Sequence, residues 1–230
     1  MAKRQKTTYH TQQILQLAIY VDKAQGFVKS GNGYYDQEKS EMVYDNKTAI
    51  LNYVIGETPM PEIGNDIIEQ VEEIVESFKL ELIGKKMSGR INDFETNVLQ
   101  SISNETVEAF GVAVLASLPN SFRVQFKRQT LDDWFDAHRK TSEFVGVIGE
   151  RIKLAVHIKD VKFISKYGIH LVTCVDTNQN ILKFFFNKEP DISGIIEGKD
   201  AMLTGKIKTH DISKFSNCKE TVFNYVRIEH

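Results

Sequence analysis

The hydrophobic pattern of this chain changes period once, near Gly146, and that change divides it into two parts. Before it, apolar residues recur at helical spacing. Ile14, Leu15, Ala18, Ile19 and Val21 predict a helix within THTQQILQLAIYVDKAQGFVK. The Gly/Asn-rich SGNGYYDQEKSE reads as a loop or a hairpin, and a short helix is expected from Asn46 to Val54, ended by GETPMPEIGN. The clearest helix is NDIIEQVEEIVESFK, where Ile67, Ile68, Val71, Ile74, Val75 and Phe78 form one stripe and Glu69, Glu72, Glu73 and Glu76 lie largely opposite. Asn65 or Asp66 is placed to cap it with a side-chain oxygen. The glutamate row is first a solvated face and second a partner-docking or DNA-mimicking surface. Further helices are expected at about 91–102 and 104–117, the latter stopped by Pro119. FRVQFKRQ alternates and reads as a short strand or extended connector. Thr130 then reads as the N-cap of a short helix, LDDWFDAHRK, whose Trp134 anchors a domain interface rather than stacking on a base.

After Gly146 the period becomes two. Ile152, Leu154, Val156 and Ile158 alternate with Arg151, Lys153, Ala155, His157 and Lys159, as in a half-buried strand. Tyr167-Gly168 marks a turn, IHLVTCVD a second strand, DTNQN a polar hairpin turn and NILKFFFNK a third strand. KEPDISGIIEGKD is a longer connection with room for one helical turn. AMLTGKIKTH is the fourth strand, KFSNCK a loop and ETVFNYVRI the fifth strand. Gly168 and Gly205 supply the freedom that sharply coiled strands need. The order β-β-β, long connection, β-β fits a five-stranded Greek-key barrel of the OB type, with an SH3-like barrel or a sandwich as alternatives. The expected fold class is therefore α+β: a mainly helical domain over residues 1–145, then a five-stranded antiparallel OB-like β-barrel over 146–230.

Composition narrows the picture only slightly. With 230 residues, 41% of them hydrophobic, the chain can build packed cores, and no apolar run approaches the ~18 residues of a membrane span. The basic, polar start lacks the apolar core of a signal peptide, so a cytoplasmic protein is expected. Cys174 and Cys218 fit no metal spacing and are expected to stay thiols, Cys174 within the core. Charge is uneven: residues 1–145 hold 16 Lys/Arg against 21 Asp/Glu, a net −5, whereas residues 146–230 hold 13 against 10, a net +3. That falls short of the basic excess of a duplex-DNA binder, and a plain solvated surface explains it equally well.

The segment EGKDAMLTGKIKTHDISKFSNCKETVFNYVRI resembles the last two strands of OB domains in nucleic-acid-binding proteins and in uncharacterised proteins of tailed bacteriophages. Gly198, Gly205, Lys208, His210, Glu220 and Thr221 carry the likeness, which covers about 80 residues. The Lys199-Asp200 pair departs from it by lengthening the usual Gly-Asp step. The resemblance implies a phage replication or recombination setting, in a host cytoplasm.

Binding a single strand takes cations along a groove and aromatic rings that stack on bases. Alternation places Lys206, Lys208 and His210 outward on the fourth strand, and Lys183 with Phe185 outward on the third beside inward Leu182, Phe184 and Phe186. On the fifth it groups Phe223, Tyr225 and Arg227 on one face against Val222, Val226 and Ile228. Lys162, Lys166 and Tyr167 flank the first turn. His210 reads as a hydrogen-bonding strand-end residue, since no second metal ligand lies at useful spacing. The sequence carries no phosphate loop, GxSxG elbow or HExxH, so no enzyme, cofactor or metal is expected. The expected ligand is single-stranded DNA or RNA, with residues 1–145 recruiting a replication-protein partner or a second copy of the chain. The alternative is a non-enzymatic protein–protein adaptor or assembly module built on the same barrel.

Overall fold

The computed structural model describes residues 7–190 and 193–229. The polar start up to Lys6, Asp191 and Ile192 of the long connection, and His230 fall outside the described residues. The chain forms two compact units, Met1–Lys127 and Arg128–His230.

The first unit orders its elements as β1 (Thr8–His10), α1 (Thr11–Gln25), β2 (Tyr34–Asp36), β3 (Glu41–Val43), α2 (Asn46–Val54), α3 (Asn65–Met87), α4 (Asp93–Ser103) and β4 (Thr106–Glu108). The Gly/Asn-rich stretch is a hairpin, β2 against β3, while β1 pairs with β4. The helical stripes meet in one core around Ile14, Leu17, Ile50, Ile74, Phe78, Leu82, Leu115 and Leu118. Capping of α3 differs from expectation. Gly64 is its N-cap without a side-chain bond, and Asp66 pairs with Lys23 at 2.6 Å instead. The capping box belongs to α4, where Asn92 Oδ1 accepts from Glu95 N and Glu95 Oε2 accepts from Asn92 N.

The helix α5 runs Ala109–His138, through Pro119 and through both the expected strand FRVQFKRQ and the expected cap at Thr130. Proline costs one backbone hydrogen bond there but leaves the rest of the ladder intact. The alternation of Phe122, Val124 and Phe126 misled because Phe122 and Phe126, four apart, also meet on a helix, and their rings stack 6.5 Å apart.

The second unit holds β5 (Arg151–Ile164), β6 (Ile169–Asp176), β7 (Ile181–Phe186), β8 (Asp200–Ile212) and β9 (Lys219–Glu229), closed into a barrel in the order β5-β6-β7-β9-β8. The barrel is mixed, not all antiparallel, because β7 runs parallel to β9 from Ile181↔Glu220 to Phe184↔Phe223. A strand that returns beside the third after an intervening hairpin partner must arrive parallel to it. The core holds Val156, Ile158, Val172, Cys174, Leu182, Phe184, Leu203, Ile207 and Phe223. Asp176 ties the polar β6–β7 turn, its carboxylate accepting from the backbone N–H groups of Asn178 and Asn180. Burial pushes the Cys174 thiol well above its ordinary pKa, so it packs as a small hydrophobe.

Two bulges on the β8–β9 ladder reset the alternation. One lies between Thr204 and Lys206, opposite Tyr225, whose φ of 53° is left-handed. It splits the expected grouping on β9: Phe223 is buried, with Val226 and Ile228 packing against the core, while Tyr225 and Arg227 face out. Gly205 packs closely here: an added Cβ would stand 3.0 Å from Phe223 and 3.2 Å from Val226, so those side chains would have to give by a few tenths of an ångström. The second bulge, between Ile207 and Thr209, takes His210 out of line with Lys206 and Lys208.

Candidate nucleic-acid interface

Registers across the strands, with the turn and cleft beside them, gather five of the ten predicted residues, Lys162, Lys166, Tyr167, Phe185 and Tyr225. Lys162 on β5 pairs with Leu171 on β6, which pairs with Phe185 on β7. Paired residues point to the same side, so Lys162 and Phe185 share the outer face about 10 Å apart. The β5–β6 turn beside them presents Lys166 and Tyr167, with the ammonium 5.3 Å from the ring centroid. Phe185 is 52% exposed and Tyr167 65%.

Past Phe184 and Phe223 the parallel ladder ends, and β7 and β9 part. The gap is a cleft of about 410 Å³, lined by Ile169, Phe185, Phe186, Asn187, Lys188, Tyr225 and Val226. Tyr225 is 76% exposed, turned outward by its left-handed backbone. A non-glycine residue in that region costs about 1–3 kcal/mol, which the surrounding bulge must supply. On the far side of Tyr225, Lys206 pairs with Asn224 and Arg151. Among the described residues, no carboxylate pairs with Lys162, Lys166, Lys188 or Lys206.

Lys183 does not join this group. Its ammonium contacts Glu220 at 2.6 Å, with the two side chains 15% and 6% exposed, and lies 5.1 Å from the Phe135 ring. The last turns of α5 explain its loss. Trp134 and Phe135 pack against Val175, Ile181 and Cys218, covering the outer face of β6 and β7 at the end away from the cleft. Trp134 is thus a packing anchor, with Lys159 5.7 Å over its ring. Lys183 and Phe185, two residues apart on one strand, are not exposed together as alternation predicts.

His210 is structural as well. It stacks on Phe144, centroids 4.8 Å apart and planes at 8°, and its Nε2 lies 3.1 Å from the Val145 carbonyl oxygen. Lys208 and Arg227 are exposed, one step to either side of the Lys206–Tyr225 level. Glu220 and Thr221 are both interior: Thr221 Oγ1 accepts from Val145 N at 2.9 Å, which ties the segment after α5 to β9.

Sequence reasoning missed Asn187 and Lys188 because the expected third strand ran on through both, whereas the observed strand β7 ends at Phe186, and alternation carries no information beyond that point. The adjacency of Lys188 to the aromatic run FFF was the available signal. A larger depression of about 690 Å³ opens in the helical unit beside the start of α1, but Glu72 and Glu105 line it and, among the described residues, no Lys or Arg does. Comparison with protein-family models, with curated proteins and with solved structures finds no match for this chain.

Proposed function

We propose that the barrel unit binds single-stranded nucleic acid at the cleft between the ends of β7 and β9. Phe185 and Tyr225 are the stacking platforms. Lys188, Lys162 and Lys166 neutralise phosphates, with Lys206 extending the path beyond Tyr225. The observation that carries this reading is the pair of exposed rings lining one cleft beside a lysine, Lys188, that has no carboxylate partner among the described residues. Stacking is worth ~1–3 kcal/mol per base and tolerates any sequence, while the cations supply a salt-dependent share.

The strand order supports the same reading. Counted within the barrel it is 1-2-3-5-4, compatible with an OB-like fold. In such barrels the face of the second and third strands, with the 1–2 and 4–5 loops, meets oligonucleotides. Here the cleft borders that face at the 1–2 turn.

Fluorescence anisotropy with a labelled oligothymidine tests the proposal. Three phosphate contacts to a single strand give a log–log salt slope of about −2, so affinity should fall roughly 20-fold from 50 to 200 mM salt. A folded protein that shows no binding at low salt, for DNA or RNA probes, overturns the reading and leaves the barrel as a protein-docking module.

A further inference from the structure

The depression of about 690 Å³ in the helical unit is walled by the first turns of α1, the first half of α3 and the junction of α4 with β4. Local bonds hold that junction in place. The Thr11 backbone N–H donates to the Glu105 carbonyl oxygen at 2.9 Å, and the Thr11 hydroxyl donates to the Asn104 carbonyl oxygen at 2.7 Å. Thr11 is itself buried, so the backbone that carries Glu105 is fixed before any ligand arrives.

Three kinds of group line the depression. Leu15, Val71, Val75 and Ile102 make an apolar floor. Glu72 on α3 and Glu105 ahead of β4 put exposed carboxylates on two different walls. Gln12, Gln13, Gln16 and Asn104 add side-chain amides. Among the described residues, neither glutamate enters an ion pair and none of the four amides has a hydrogen-bond partner. Negative charge therefore faces the depression without a counter-charge. Glu69 and Glu76, also exposed and about one turn to either side of Glu72, extend that charge along α3.

An arginine side chain complements this arrangement. Its methylene stem covers an apolar floor while its head stays at the rim. The guanidinium has five N–H donors and no acceptor, which matches a rim of carboxylate and amide oxygens. A lysine ammonium has three donors and holds its water more tightly, so it meets less of that rim. Phosphate groups are repelled by the same carboxylates.

We propose that the depression docks an arginine side chain presented by a basic segment of a partner protein, with Glu72 and Glu105 as its ion-pair partners. Arginines seated in pockets recur as anchors of protein interfaces. Glu69 and Glu76 steer the basic segment toward the site. The assignment stands whether or not the barrel binds nucleic acid.

Fluorescence anisotropy of the full chain with a fluorescein-labelled hexa-arginine amide at low salt tests the proposal. Glu72→Gln with Glu105→Gln should weaken binding at least ~10-fold, with unchanged circular dichroism, because both charge-assisted contacts are lost. Glu69→Gln with Glu76→Gln should weaken it about 3-fold or less, since these charges act only through solvent. A hexa-lysine amide should bind more weakly than hexa-arginine. In 1H–15N spectra the hexa-arginine peptide should shift the side-chain amide signals of Gln12, Gln13, Gln16 and Asn104. No binding by the folded chain, an equal loss in the two double variants, or hexa-lysine or spermidine binding as tightly as hexa-arginine overturns the assignment.

Discussion

Two lysines on the barrel stand beside aromatic rings and have opposite fates. Lys183 rests against Phe135 and gives its charge to Glu220 in a nearly closed pocket. Lys188 lines an open cleft with Phe185 and Tyr225 and is paired with no carboxylate among the described residues. The residue types are the same. What differs is whether another element covers the face: α5 closes one end of β6 and β7, and the parting of β7 from β9 leaves the other end open. A cation beside an aromatic ring therefore says little about ligand binding until its counter-charge is known.

The largest effect that would test this contrast is on stability. Lys183→Ala strands Glu220, itself 5% exposed, with only the Ser216 hydroxyl at 3.2 Å as a side-chain donor among the described residues. Breaking a buried pair from one side costs ~3–5 kcal/mol, and the partial exposure of Lys183 places this case near ~3. Urea unfolding should show that loss, while the remaining folded protein keeps its oligonucleotide affinity. A loss below ~1 kcal/mol, or a matching drop in affinity, would erase the distinction between the two lysines.

A smaller effect extends the contrast to the helical unit, where Lys85 is another closed lysine. Lys85 holds the Glu95 carboxyl below its ordinary pKa, helped by the hydrogen bond from Asn92 N. A depressed carboxylate stabilises the fold above its unfolded pKa, and that stability is lost as pH falls through the folded value. Unfolding midpoints between pH 7 and pH 3 should therefore fall less in Glu95→Gln than in the wild type. Asn92→Ala should cost about 1 kcal/mol at neutral pH through loss of the cap. Equal pH profiles for Glu95→Gln and wild type would show that the Lys85 contact contributes nothing.

Much of the barrel was legible because its strands are local and half-buried. Alternation located all five strands and the polar turn at Asp176. The parallel closure of β7 on β9 was not, since it joins segments far apart in sequence and no local pattern encodes it. Tyr225 was named as a ligand residue for a partly wrong reason: alternation grouped it with Phe223, and the bulge opposite Gly205 separates them. Lys183 was misplaced because the covering helix end lies before the barrel in sequence, and nothing in NILKFFFNK announces it. In the first unit, periodicity found α1, α2 and α3 but stopped short at Pro119, where tertiary packing of Val112, Leu115 and Leu118 carries α5 onward.

The most direct test of the central claim replaces both platforms at once. Phe185→Ala with Tyr225→Gly removes the two rings, and glycine suits the left-handed backbone at Tyr225, so the fold is kept. Anisotropy with labelled oligothymidine at low salt should show affinity reduced at least ~30-fold relative to wild type, two stacked bases at ~1–3 kcal/mol each. Unchanged affinity in the folded double variant would contradict the account and place the nucleic acid elsewhere on the barrel.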